Sequence, residues 1–191
     1  MNKKILSAAV AMALAAGISG TALAAEGSLA DVPKDHWSYQ AVDQLVKDSG
    51  FPGMKVLEFA FDSRDTGAAS DYLPHNYIEN CVVYTGTHDN ETLQGWFKSI
   101  NKQEMQMVRD YLCDAKTPIK DLHKPMIAAA MRSNAATCII PMQDYLGLDN
   151  SARTNQPSTV GQNWRWRVSG KALTSKLAQE IRHTADTFGR L

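Results

Sequence analysis

Cysteine is scarce in this chain, with three residues (Cys81, Cys113 and Cys138) among 191. An odd, widely spaced set makes no disulfide framework, and no CxxC or HxxxH pair offers the spacing of a structural metal site. The three read as reduced, buried, small hydrophobes. Charge of one sign is lacking too. Twenty Lys+Arg balance twenty Asp+Glu, for a net charge of zero. No broad basic field exists to hold nucleic acid, and there is no acidic tail. A long hydrophobic run is also missing. The most apolar stretch, residues 5–20, is rich in Ala and falls short of the roughly 20 strongly apolar residues that a membrane span needs. At 44% hydrophobic and 21% charged, the composition excludes disorder or a collagen-like chain for the bulk of the sequence.

The N-terminus has its own physical identity. Lys3 and Lys4 precede the apolar run, and Ala22-Leu23-Ala24 places small residues where a signal peptidase cuts. Residues 1–24 are therefore expected to form a secretory signal peptide, the chain's one link to a membrane and a sign of export. Next comes Asp31-Val32-Pro33-Lys34-Asp35-His36-Trp37. Pro33 and Asp35 suit a helix start, and Trp37, Ala41, Leu45 and Val46 share one helical face. These residues resemble the opening of an S-layer homology module over about 20 positions. The resemblance implies a partial wall-binding helix over residues 25–50, with a cell-wall polymer as its partner.

From Phe51 onward the pattern changes. Apolar runs at residues 56–61, 82–85 and 138–142 are expected to be strands. Helical patterns cover residues 101–113, with Met105, Val108 and Leu112 on one face, and residues 119–131, with Pro125 as a kink. A last helix, capped by Thr174, carries Leu177, Ile181 and Phe188. Met105, Met107, Met126 and Met131 read as core filler. Strands alternating with helices imply an α/β fold with a parallel sheet.

The polar residues that follow the strands are the informative ones. Asp62 follows the first, Gly86-Thr87-His88-Asp89-Asn90 the second, and Gln143-Asp144 the third. In a parallel α/β sheet the strand C-termini share one rim, so these groups should converge. Carboxylates, amides and an imidazole at one rim suit a sugar, whose hydroxyls both donate and accept. Asp89 and Asn90 could alternatively cap a helix. In Trp164-Arg165-Trp166-Arg167, alternation would put both Trp on one side, a packing pattern rather than a nucleic-acid patch. His75, His88 and His123 have no partners at a metal-ligand spacing.

Five ordered stretches carry a resemblance. They are Pro52-Gly53-Met54-Lys55-Val56-Leu57-Glu58-Phe59-Ala60-Phe61-Asp62; Tyr72-Leu73-Pro74-His75-Asn76-Tyr77; Tyr84-Thr85-Gly86-Thr87-His88-Asp89-Asn90; Ile140-Pro141-Met142-Gln143-Asp144-Tyr145; and Ala152-Arg153-Thr154-Asn155-Gln156-Pro157 followed by Gly161-Gln162-Asn163-Trp164-Arg165-Trp166. From Phe51 to Leu191 the chain resembles the 4-α-glucanotransferases (amylomaltases, glycoside hydrolase family 77). The resemblance implies a (β/α)8 barrel, of which this chain would hold about the last three β/α units. It also implies transfer of α-1,4-glucan segments with retention of configuration, no cofactor and no metal, and a maltodextrin or other α-1,4-glucan as partner. It casts Asp89 as the transition-state stabiliser, and His88, Asp62, Asn90, Gln143 and Asn155 as sugar-binding residues. Retention needs a nucleophile and an acid/base about 5 Å apart. In the family both lie upstream of the Pro52-Gly53-Met54 stretch, where this sequence holds the signal segment and the DVP-led helix. The expectation is a glucanotransferase fragment without transferase activity of its own. The other reading is an exported, non-catalytic glucan- or wall-binding protein. The two halves also imply different places: the signal points to the envelope, the glucanotransferase part and its unpaired cysteines to the cytoplasm.

Overall fold

The computed structural model describes residues 48–64 and 68–191, with Ser38, Gln40, Ala41 and Gln44 as isolated positions. The predicted signal peptide and most of the DVP-led helix lie outside the described residues. Ala41, expected on an apolar face, is helical but exposed.

Three short strands form the sheet: β1 (Gly53–Val56), β2 (Cys81–Tyr84) and β3 (Thr137–Ile139). Their spatial order is β1-β2-β3 and both pairings are parallel. Val56 is level with Tyr84, and Tyr84 with Ile139. The strand C-termini therefore end on one rim, as the α/β reading requires.

The first strand lies earlier than its apolar run suggested. Residues 57–61 form a 3-10 turn instead, with Leu57, Ala60 and Phe61 buried. Those positions are spaced i, i+3, i+4, so the run was helical in period although its composition is β-like. Residues 138–142 split similarly: β3 stops at Ile139 and Pro141 precedes the short helix α4 (Met142–Tyr145).

The sequence reading passed over one helix, α1 (Leu93–Ser99), whose N-cap Thr92 accepts from the Gly95 amide. Then follow α2 (Lys102–Leu112), α3 (His123–Met131) and α5 (Ser175–Thr187). Asn101 and Glu104 close a capping box at the start of α2, and Glu104 Oε1 also accepts from the Ser63 amide and hydroxyl. Pro125 makes no kink. It is the third residue of α3, where a backbone N–H would have no intrahelical partner in any case. Thr174 caps α5 as expected.

Alternation along the strands divides the sheet into two faces. Cys81 and Val83 point into a core with Leu93, Phe97, Val108, Leu122, Met126 and Ile127. Met126 and Met131 are buried in it, and Met105 and Met107 pack at its edge. The opposite face carries Met54, Val56, Tyr84 and Ile139, which line an open cavity of about 620 Å³. Cys113 departs from the cysteine expectation: it is exposed and ends α2 with a left-handed φ of 53°.

Candidate functional site

The rim begins where β2 ends. Thr85 is fully buried, and its hydroxyl donates to Asp144 Oδ2 at 2.6 Å. Asp144 Oδ1 accepts from the Leu93 amide at 2.8 Å. Asp144 thus joins β2, α1 and α4. Burial pushes its carboxyl above the usual carboxylate range, while the bonds from Thr85 and Leu93 oppose that shift. After Gly86 the chain makes a tight turn. Asn90 Oδ1 accepts from the Thr87 amide (2.9 Å) and hydroxyl (2.7 Å), and the Asn90 amide donates to the Thr87 carbonyl. Asn90 is therefore the buckle of the turn, and the helix N-cap is Thr92 rather than Asp89 or Asn90.

This turn presents Asp89 and His88. Asn155 Nδ2 donates to Asp89 Oδ1 at 2.5 Å, and His88 Nε2 lies 3.3 Å from Asp89 Oδ2. Arg153 ties the backbone together. Its Nη2 donates to the Asp89 carbonyl (2.6 Å) and its Nε to the Asn155 carbonyl (2.8 Å). The Asn155 amide in turn donates to the His88 carbonyl. The His88 ring lies 5.0 Å from that of Trp164. The Asp89 side chain is 40% exposed, so a carboxylate fixed on both oxygens remains open to a ligand.

Gln143 is brought to the same rim. Its Nε2 donates to the Ala152 carbonyl and the Thr154 hydroxyl, so it braces the segment that carries Arg153 and Asn155. His88, Asp89, Asn90 and Gln143 all line the 620 Å³ cavity over the open sheet face. Asp62 shares a neighbouring cavity of about 730 Å³ with Asp89 and Asn90 but is engaged elsewhere. Arg64 holds it bidentately at 2.9 and 2.8 Å. That guanidinium keeps the Asp62 carboxyl down at about 2.

Sequence reasoning missed Arg153 and Glu58. Arg153 stands two residues before Asn155, and nothing in its own spacing ties it to the rim. Glu58 hid inside an apolar run, where a lone carboxyl is itself a signal because unpaired burial is costly. The Trp164–Arg167 stretch is not a strand. Trp164 has a φ of 65°, is 57% exposed and lies against the His88 ring at a tilt of 37°.

The arrangement can place a fixed negative charge against a developing positive one, which is how a carboxylate steadies an oxocarbenium-like ring. A displacement with retention needs two further carboxyls of its own. Glu58, Asp62, Glu91 and Glu104 share the larger cavity with Asp89. Asp62 is held by Arg64, and Glu91 accepts from Ser99 and Asn150. Glu104 closes the capping box, and Glu58 is 5% exposed. Among the described residues, none of the four is an open carboxylate beside Asp89.

Comparison with known proteins bears on this geometry. The family profile for 4-alpha-glucanotransferases, glycoside hydrolase family 77, matches residues 38–174. The chain belongs to that family. The match covers the three strands and the whole Asp89 cluster, and it begins upstream of Phe51, inside the segment first read as a wall-binding helix. A 4-alpha-glucanotransferase of Clostridium butyricum is 42% identical over 148 residues, covering 77% of this chain and 29% of the relative. The chloroplastic/amyloplastic enzyme of Arabidopsis thaliana is 43% identical over 153 residues, covering 78% and 26%. An amylomaltase from Streptococcus agalactiae, solved in complex with acarbose, superposes with a TM-score of 0.70 at 32% identity, covering 79% of this chain and 30% of that one. The chain thus spans less than a third of the length of these relatives.

Proposed function

We propose that this chain forms the C-terminal wall of a 4-alpha-glucanotransferase cleft, a surface that binds α-1,4-glucan and carries Asp89 as charge stabiliser, with no open carboxyl pair to cleave it among the described residues. The observation that carries this reading is the junction of Asp89, Asn155, Arg153 and His88, fixed by hydrogen bonds and open on one side. The sheet is the last part of a (β/α)8 barrel. In support, its strands are parallel and in sequential order, and among the described residues helices cover one of its faces, whereas parallel sheets are normally covered on both. The ligand class is a maltodextrin, which suits a rim of amides, an imidazole and a carboxylate above an apolar sheet face. Export rests on residues 1–24 alone, and the wall-polymer contact on residues 25–50, which the family match overlaps from residue 38.

The test is calorimetric titration of the 191-residue chain with maltoheptaose. Binding that weakens about tenfold or more in Asn155→Ala supports the reading. An absence of binding, or binding indifferent to Asn155, contradicts it. A pull-down on cell-wall sacculi separates the wall contact from the glucan contact.

A further inference from the structure

Glu58 has no part in the sugar-binding cluster, yet it lies directly beneath it. The residue follows β1 by two positions, and its amide donates to the Thr85 carbonyl at 3.2 Å. Its carboxyl group reaches under the root of the Asp89 turn. A Cβ built on Gly86 would come 3.1 Å from Glu58 Oε1 and 3.1 Å from Asn90 Cβ. Glu58 Oε1 is buried and has no hydrogen-bond partner. The Asn90 side chain flanks the same space beside Gly86. Asn90 Oδ1 is taken by the Thr87 amide and hydroxyl, so the side chain that flanks Glu58 is also the one that holds the Asp89 turn.

We propose that Glu58 is a positioning residue for Asp89, acting through Asn90 and Gly86 to set the turn that presents Asp89 and His88 to the glucan. The inference rests on the glucan-binding reading for its ligand, while its coupling within the protein can be measured without one. Glu58 does not touch the glucan. Its carboxyl works as a wedge in the neutral form: burial opposes its charge, the nearby carboxylates of Asp144 and Glu91 repel it, and only Arg153 and the Asn90 amide favour it. The net effect holds its pKa well above the ordinary value of 4.5. When the proton leaves, an uncompensated charge appears in a space closed by Gly86. The turn must then open toward solvent, carrying Asn90 and Asp89 away from Asn155. Glucan binding therefore weakens as pH rises through the titration of Glu58.

The experiment is nuclear magnetic resonance of the full chain, labelled with ¹³C and ¹⁵N, titrated between about pH 4 and about pH 9. The Glu58 carboxyl carbon should titrate above every exposed glutamate. The Gly86 and Asn90 amide signals and the Asp89 carboxyl signal should move with the same midpoint. Glu58→Gln should fold, hold these signals at their low-pH positions and abolish the movement. With maltoheptaose present, the wild-type dissociation constant should rise about threefold or more across that midpoint, and that of Glu58→Gln should stay flat. Titration of Glu58 in the ordinary carboxylate range overturns the proposal, as does a Glu58 step that leaves Asp89 unmoved, or movement that survives in Glu58→Gln. If Glu58→Gln fails to fold, the wild-type titration alone decides. If maltoheptaose binds neither protein at any pH, the glucan reading fails, and the shared midpoint of Glu58, Asn90 and Asp89 still decides the coupling.

Discussion

On one face of the sheet, Cys81 and Val83 are sealed under α1, α2 and α3. On the other, Met54 and Tyr84 are half-buried and Ile139 is 45% exposed. The same three strands thus carry a finished core and an unfinished one. The difference shows where this chain's stability and its chemistry reside. The covered face holds the fold together, and the open face supplies the floor of the cavity that Asp89 and His88 overlook. The chain that carries both faces spans less than a third of its relatives' length.

The contrast can be broken most sharply by matched substitutions. Met126→Ala on the covered face should cost about 2–5 kcal/mol, because it leaves a cavity in a closed core. Met54→Ala on the open face should cost under about 1 kcal/mol. Urea unfolding of both variants checks this, and equal losses would erase the distinction between the faces. Asp144→Ala comes next. It strips the Thr85 hydroxyl and the Leu93 amide of their acceptor, and should cost about 1–3 kcal/mol. Asp89→Asn should do the opposite of a core change. Its thermal midpoint should stay near that of the wild type, since the amide oxygen can still accept from Asn155, while its maltoheptaose binding changes.

The smallest expected effect is in pH. Burial raises Glu58 and Asp144 above the ordinary carboxylate range. In each case the unfolded chain loses the proton first and the native state keeps it, so stability falls as pH rises from the ordinary value, 4.5 for Glu58 and 3.8 for Asp144, through the native titration. Asp62 has the opposite sign. Its carboxyl is held at about 2 by Arg64, and its contribution is lost only as pH falls below the ordinary 3.8. Urea midpoints of the wild type and Glu58→Gln should therefore diverge in favour of the variant between about pH 5 and about pH 8. Parallel profiles would show that Glu58 ionises normally in the fold.

Much of this was legible in the sequence, for specific reasons. The rim could be read because the side chains that end parallel strands must converge. His88, Asp89 and Gln143 were found that way, and Asn155 through the family resemblance. Asp62 reached the neighbouring cavity that Asp89 also lines, but nothing in its spacing revealed that Arg64, two residues on, would occupy both its oxygens. The shift of β1 to Gly53–Val56 escaped because Phe and Leu fit strand and helix alike, and only the spacing of Leu57, Ala60 and Phe61 distinguishes them. Glu58 and Arg153 could not be placed from their neighbours in sequence. Asn90, which flanks Gly86 with Glu58, and Asp89, which Arg153 bonds, lie 32 and 64 positions away.

The proposed glucan cleft carries, among its described residues, no open carboxyl pair beside Asp89. Incubation of the purified 191-residue chain with maltotriose, followed by separation of the sugars, tests it most directly. The account predicts unchanged maltotriose. Free glucose accompanied by longer maltodextrins would contradict it.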